Sequence, residues 1–173
     1  SIAPHWDGNQ VWFITAGGAL FAAWPLVYAV AFSGMYWALL LVLFALFLWP
    51  VCFDYRSKLN NTKWRTAWDW ALCVGGAVPI LVFGVAFGNL FLGVPFQLDE
   101  MMRSTYQGSF WSLLSPFALL CGVVSFTMLC AHGCSWLQMR TEKEVELRSQ
   151  SLGKVFIILY LLGFSVAGLW LAY

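Results

Sequence analysis

Apolar and polar positions fall in long blocks along this chain. From Val11 to Phe53 there is no Asp, Glu, Lys, Arg or His. About 20 residues cross a hydrocarbon core of about 30 Å, so this run is long enough to cross, turn once and return. Pro25, Ser33 and Gly34 punctuate it, and Trp24, Tyr28 and Tyr36 carry the amphipathic rings that collect at a membrane interface. A break between Trp24 and Gly34 then gives helices at about residues 8–29 and 33–52. Three further apolar blocks predict helices at about 70–89, 110–137 and 154–173. The expected fold is all-α: a polytopic membrane helix bundle of about five transmembrane helices, forming a single membrane domain over residues 1–173.

Composition agrees with that pattern and narrows what the chain can do. Of 173 residues, 61% are hydrophobic and 10% charged, against about 25% charged in an ordinary soluble domain. The net charge of +1 comes from nine basic and eight acidic residues lying mostly between the apolar blocks. No basic surface is left for nucleic acid. The five cysteines, Cys52, Cys73, Cys121, Cys130 and Cys134, lie in or beside apolar blocks. Their odd number and their setting argue for buried free thiols over a disulfide framework. The opening residues carry neither a start Met nor a basic leader, and the chain stops at Tyr173 inside apolar sequence, so a piece of a longer protein is expected.

Loop charges orient the spans. Arg56, Lys58, Lys63 and Arg65 fall in segment 54–69, and Arg140, Lys143, Arg148 and Lys154 in segment 138–154. Segment 90–109 holds only Arg103, beside Asp99 and Glu100. Basic loops stay on the cytoplasmic side, so the first two segments are expected there and the third outside. By the same alternation, the N-terminal stretch before Val11 belongs on the cytoplasmic side. Small residues mark candidate close contacts between helices: Gly17 and Gly18 within Thr15–Ala19, and Gly84 and Gly88 in a G-x-x-x-G pattern. Pro79 is expected to kink the third helix, because it removes one backbone hydrogen bond and crowds the preceding turn.

The stretch His5-Trp6-Asp7-Gly8-Asn9 places two ionisable side chains at the mouth of the charge-free run. Asp7 has two readings. One is the N-cap of the first helix, accepting a backbone N–H. The other is a titrating carboxylate near His5 that marks a proton path, the default hypothesis for ionisable groups at membrane depth. Asp54 sits at the end of the second helix, on the same side by helix count, and is either part of that path or a surface partner of Arg56 or Lys58. Trp12, about a turn and a half after Asp7, either lines the same opening or anchors in lipid. Cys130, His132 and Cys134 put two thiols and an imidazole on neighbouring turns. His132 projects about 200° around the helix from Cys130, so no metal site is expected, and no catalytic residue is assigned.

Several long segments resemble subunit II of the cytochrome bd quinol oxidases. They are residues 1–12, Gly17 to Pro25, Phe53 to Lys58 and Gly84 to Asn89, in the same order and over nearly the whole chain. The resemblance implies a bacterial inner-membrane oxidoreductase complex that oxidises quinol and reduces oxygen to water. It implies no cofactor bound by this chain, with the b-type and d-type haems carried by subunit I, against which this subunit packs alongside lipid, quinone and possible small accessory subunits. The family's first helix and the C-terminal half of the subunit are not present in this sequence. By the same resemblance Asp7, Trp12 and Asp54, with His5 as a neighbour, match positions associated with a proton route from the cytoplasm. The competing readings are a purely structural subunit that stabilises the haem-bearing partner and a transporter built of repeats. No internal repeat supports the last.

Overall fold

The computed structural model describes residues 3–101 and 103–172, and for residues 3–7, 9, 10 and 104 the backbone alone. Among the described residues the chain forms six α-helices: α1 (Ala3–Ala23), α2 (Pro25–Gly34), α3 (Tyr36–Tyr55), α4 (Thr62–Leu92), α5 (Pro116–Arg140) and α6 (Glu144–Ala172). Two short strands, β1 (Phe96–Leu98) and β2 (Ser104–Tyr106), pair antiparallel with Gln97 opposite Thr105, and a 3-10 turn covers Phe110–Leu113. The fold is a polytopic helical membrane protein. Helices α3, α4, α5 and α6 are long and apolar enough to cross a membrane, while Val11–Ala23 and α2 form shorter apolar helices.

The first apolar run breaks twice, where one turn was expected. Pro25 has no N–H to donate, so the ladder is interrupted at Trp24, whose backbone leaves the helical region at φ −136° and ψ 71°. Flanking bonds from Trp24 N to Leu20 O and from Tyr28 N to Trp24 O, each 2.9 Å, hold the two sides together. The second break is at Met35. The ten residues between, assigned from sequence to the end of the first helix, a turn and the start of the second helix, form the separate helix α2, which packs on strand β2. There the ring of Tyr106 lies against Gly34, where an added methyl would stand 3.2 Å from the ring.

Helix starts also differ from the hydropathy blocks, because polar first turns are helical where a cap is present. The side chain of Asn61 accepts from Lys63 N at 3.0 Å, and α4 begins at Thr62, eight residues before its apolar block. Helix α6 likewise begins at Glu144, ten residues before its block, with Arg148 paired to Glu144 across one turn at 2.6 Å. Conversely, α5 starts later, at Pro116, behind Ser115, whose hydroxyl accepts from Ala118 N at 3.2 Å. The segment from Phe110 that was expected to open this helix is the 3-10 turn instead.

Consecutive helices α3 to α6 pack side by side, and glycine sets the spacing. At Gly84 a methyl would stand 2.7 Å from the Cα of Gly122 and the Cβ of Ser125, and at Gly88 it would stand 2.7 Å from the Cα of Ala118. Helices α4 and α5 therefore touch backbone to backbone, the mode that drives helix association where lipid removes the hydrophobic force. On α4's other side, Gly75 faces Trp49 and the carbonyl of Ala45 on α3, and on α6 Gly163 faces Val124 of α5. Pro79 is buried inside α4, which continues through it. Asn89 is buried and donates from Nδ2 to Val85 O at 2.9 Å and to Leu113 O at 2.7 Å, pinning the 3-10 turn onto the end of α4. Most large apolar side chains remain exposed, from Trp12 at 73% to Trp111 at 75%, as spans facing lipid or other protein require.

Candidate functional site

The expected site lies along α1 and at the turn between α3 and α4. Helix α1 begins at Ala3, so Asp7 lies in its second turn. This corrects the expectation of an N-cap at Asp7: a cap precedes the helical residues, and here four of them precede the aspartate. The side chains of His5 and Asp7 lie outside the described residues. Trp12 is exposed on α1, one turn before Thr15, whose hydroxyl donates to Val11 O at 2.8 Å. Phe13 stacks on Phe83 of α4 with ring centroids 5.5 Å apart, which ties α1 to the bundle. Gly17 and Gly18 face open space, with nothing within 4 Å of an added methyl. Neither makes the close helix contact expected of it among the described residues.

Asp54 is exposed in the last turn of α3. Its expected partners are engaged elsewhere. Arg56 forms a two-pronged pair with Asp69 of α4, Nε to Oδ1 at 2.5 Å and Nη2 to Oδ2 at 3.1 Å. The hydrogen bond to Asp69 raises the Arg56 guanidinium above its already high ordinary pKa. Lys58 stands over the ring of Tyr55, 4.3 Å from its centroid. Residues two apart on a helix point to different faces, which separates Asp54 from Arg56, whereas the return of α4 beside α3 brings Asp69 to the guanidinium. Asp69 was not singled out from sequence. The available signal was an acid flanked by Trp68 and Trp70 at the opening of an apolar block.

The thiols and imidazole of α5 diverge. Cys134 is buried, with its Cβ 3.3 Å from where a methyl on Gly153 of α6 would stand, while His132 is exposed. All five cysteines are free thiols, but burial holds only for Cys52 and Cys134: Cys121 and Cys130 are half-buried and Cys73 is exposed, a correction to the expectation that all five are buried. Among the described residues no group of three or more His, Cys, Asp or Glu side chains is placed to hold a metal ion.

Fold and site together define a multi-pass helical membrane protein with charged helix ends. The sequence model described as cytochrome bd terminal oxidase subunit II matches residues 1–173, and the chain belongs to that family. It is 58% identical over all of its 173 residues to the cytochrome bd-I ubiquinol oxidase subunit 2 of Escherichia coli strain K12, covering 46% of that protein. It is 60% identical over 99% of its length to a probable cytochrome oxidase subunit 2 of Haemophilus influenzae, covering 45% of it. A cytochrome bd ubiquinol oxidase subunit 2 of Bacillus subtilis is 35% identical over 89% of the chain and 44% of the relative. The chain thus spans about half the length of the curated relatives it matches.

Proposed function

We propose that the protein containing this chain is the second subunit of a bacterial inner-membrane quinol oxidase, which passes electrons from quinol to oxygen. The observation that carries this reading is the 58% identity, without loss of coverage of this chain, to a ubiquinol oxidase subunit 2. In this reading the b-type and d-type haems, which supply the electron transfer and oxygen chemistry, belong to a subunit I partner. This chain supplies a packed wall of spans and a proton-accepting entrance at the cytoplasmic side. Asp7, His5, Trp12 and Asp54 form that entrance. In this reading Asp54, exposed at the end of α3 and in no ion pair among the described residues, is the outer carboxylate of the entrance, and Asp7, inside a helix at the edge of a charge-free run, stands further along the path. Reduction of oxygen to water consumes protons, so uptake on one side makes turnover electrogenic.

The test is Asp7→Asn in the full-length assembled complex, reading haem content and oxygen consumption together. Asn and Asp have similar helix propensity, so the helix should survive. The expected result is full haem content with turnover reduced on the order of 10²-fold where proton transfer limits the rate. Normal haem with normal turnover would refute the proton role and leave a structural subunit.

A further inference from the structure

Where α3 ends and α4 begins, aromatic rings and basic side chains lie together. Trp64 donates its indole N–H to Tyr55 O at 2.9 Å, its ring meets Trp68 edge-on at 5.5 Å, and Trp68 lies 6.1 Å from Tyr55. The ammonium of Lys58 sits over the same Tyr55 ring, and Arg65 is held by Asn60 Oδ1 at 2.9 Å. Segment 54–69 carries four basic residues and two acids. The Arg56–Asp69 pair neutralises one of each, which leaves Lys58, Lys63 and Arg65 against Asp54 alone, all four exposed. The positive end of the α4 dipole adds to the same field.

A cluster of Tyr and Trp rings at the end of two apolar spans marks headgroup depth, where such rings are favoured. Basic side chains immediately beyond it that form no ion pair among the described residues attract anionic lipid. A soluble anion would gain from the charge but has no acyl chain to lie along the exposed apolar faces of α3 and α4. We propose that this turn holds the headgroup of an anionic phospholipid, its phosphate against Lys58, Lys63 and Arg65 and its glycerol region on the Tyr55, Trp64 and Trp68 rings.

The test uses the full-length protein in its membrane complex, placed in bilayer discs of phosphatidylcholine with graded phosphatidylglycerol, with retained lipid counted by native mass spectrometry. Each basic side chain near a membrane surface contributes about fivefold to association with anionic lipid. The triple variant Lys58→Gln, Lys63→Gln, Arg65→Gln should therefore retain phosphatidylglycerol at least about tenfold less than the parent. A second triple variant, Arg140→Gln, Lys143→Gln, Lys154→Gln, removes the same charge from the end of α5, the following turn and α6; it lowers only the general attraction to anionic lipid, and its loss should stay well below that of the first variant. Equal losses in both variants, or none in the first, would overturn the assignment. Displacement of the lipid by excess inorganic phosphate would also overturn it, as a site for soluble anions. If the first triple variant does not assemble, Lys58→Gln alone carries the test, with an expected loss of about fivefold.

Discussion

Replacing Gly84 with Ala tests the backbone contact between α4 and α5 directly. The new methyl would stand 2.7 Å from the Cα of Gly122, 2.7 Å from the Cβ of Ser125 and 2.8 Å from the carbonyl oxygen of Cys121. Carbon atoms sit comfortably at about 3.5–4.0 Å, so the helices must separate locally by roughly 1 Å. Two of the three obstacles are backbone atoms of α5, which no rotamer change can move. A radial gap of 0.5–1 Å already forfeits about a quarter to a half of each dispersion contact lining it, and overpacking of this kind costs about 1–3 kcal/mol. Ala is favoured over Gly within a helix by roughly 0.5–1 kcal/mol, so the net loss should lie within about 0–2.5 kcal/mol, centred near about 1 kcal/mol. Gly133→Ala on α5 is the matched control: among the described residues nothing lies within 4 Å of the methyl it would add, and only the helix gain should remain. The assay is thermal unfolding and yield of the full-length complex for both variants. Gly84→Leu should extend the loss to failed assembly. A Gly84→Ala protein as stable as Gly133→Ala would refute the argument that close backbone approach holds α4 against α5.

Asn89→Ala removes both donors that hold Leu113 O and Val85 O, and leaving the buried Leu113 carbonyl unpaired should cost about 1–3 kcal/mol in the same unfolding assay. A variant that unfolds at the parent midpoint would mean that the 3-10 turn is held by its apolar packing alone. Sidedness is checked through the four lysines, Lys58, Lys63, Lys143 and Lys154, all of which fall in the two basic segments. A membrane-impermeant amine reagent should label peptides containing them only in inside-out vesicles, and labelling in intact spheroplasts would reverse the orientation.

Much of this architecture was legible in the order of residue types. A charge-free run over twice the length of one span had to turn within the membrane protein, and the G-x-x-x-G residues of α4 had no side chain with which to keep a neighbour away. Loop charge, segment order and the long family segments were local properties of the chain, which is why they could be read without coordinates. Helix limits were less legible, because Asn61 and Ser115 begin helices through single hydrogen bonds that hydropathy does not register. The short strands at Phe96–Leu98 and Ser104–Tyr106 were missed for a similar reason: three residues carry no period, and only pairing makes them strands. Which small residues meet a neighbour was a tertiary matter. Gly84 and Gly88 abut α5 while Gly17 and Gly18, equally small, meet no neighbour among the described residues, since rotation of each helix about its axis is set by all its contacts at once. The same holds for charge. In sequence Asp54 is the nearest acid to Arg56, but helical rotation turns Asp54 aside, and the return of α4 brings Asp69, thirteen residues away, to the guanidinium.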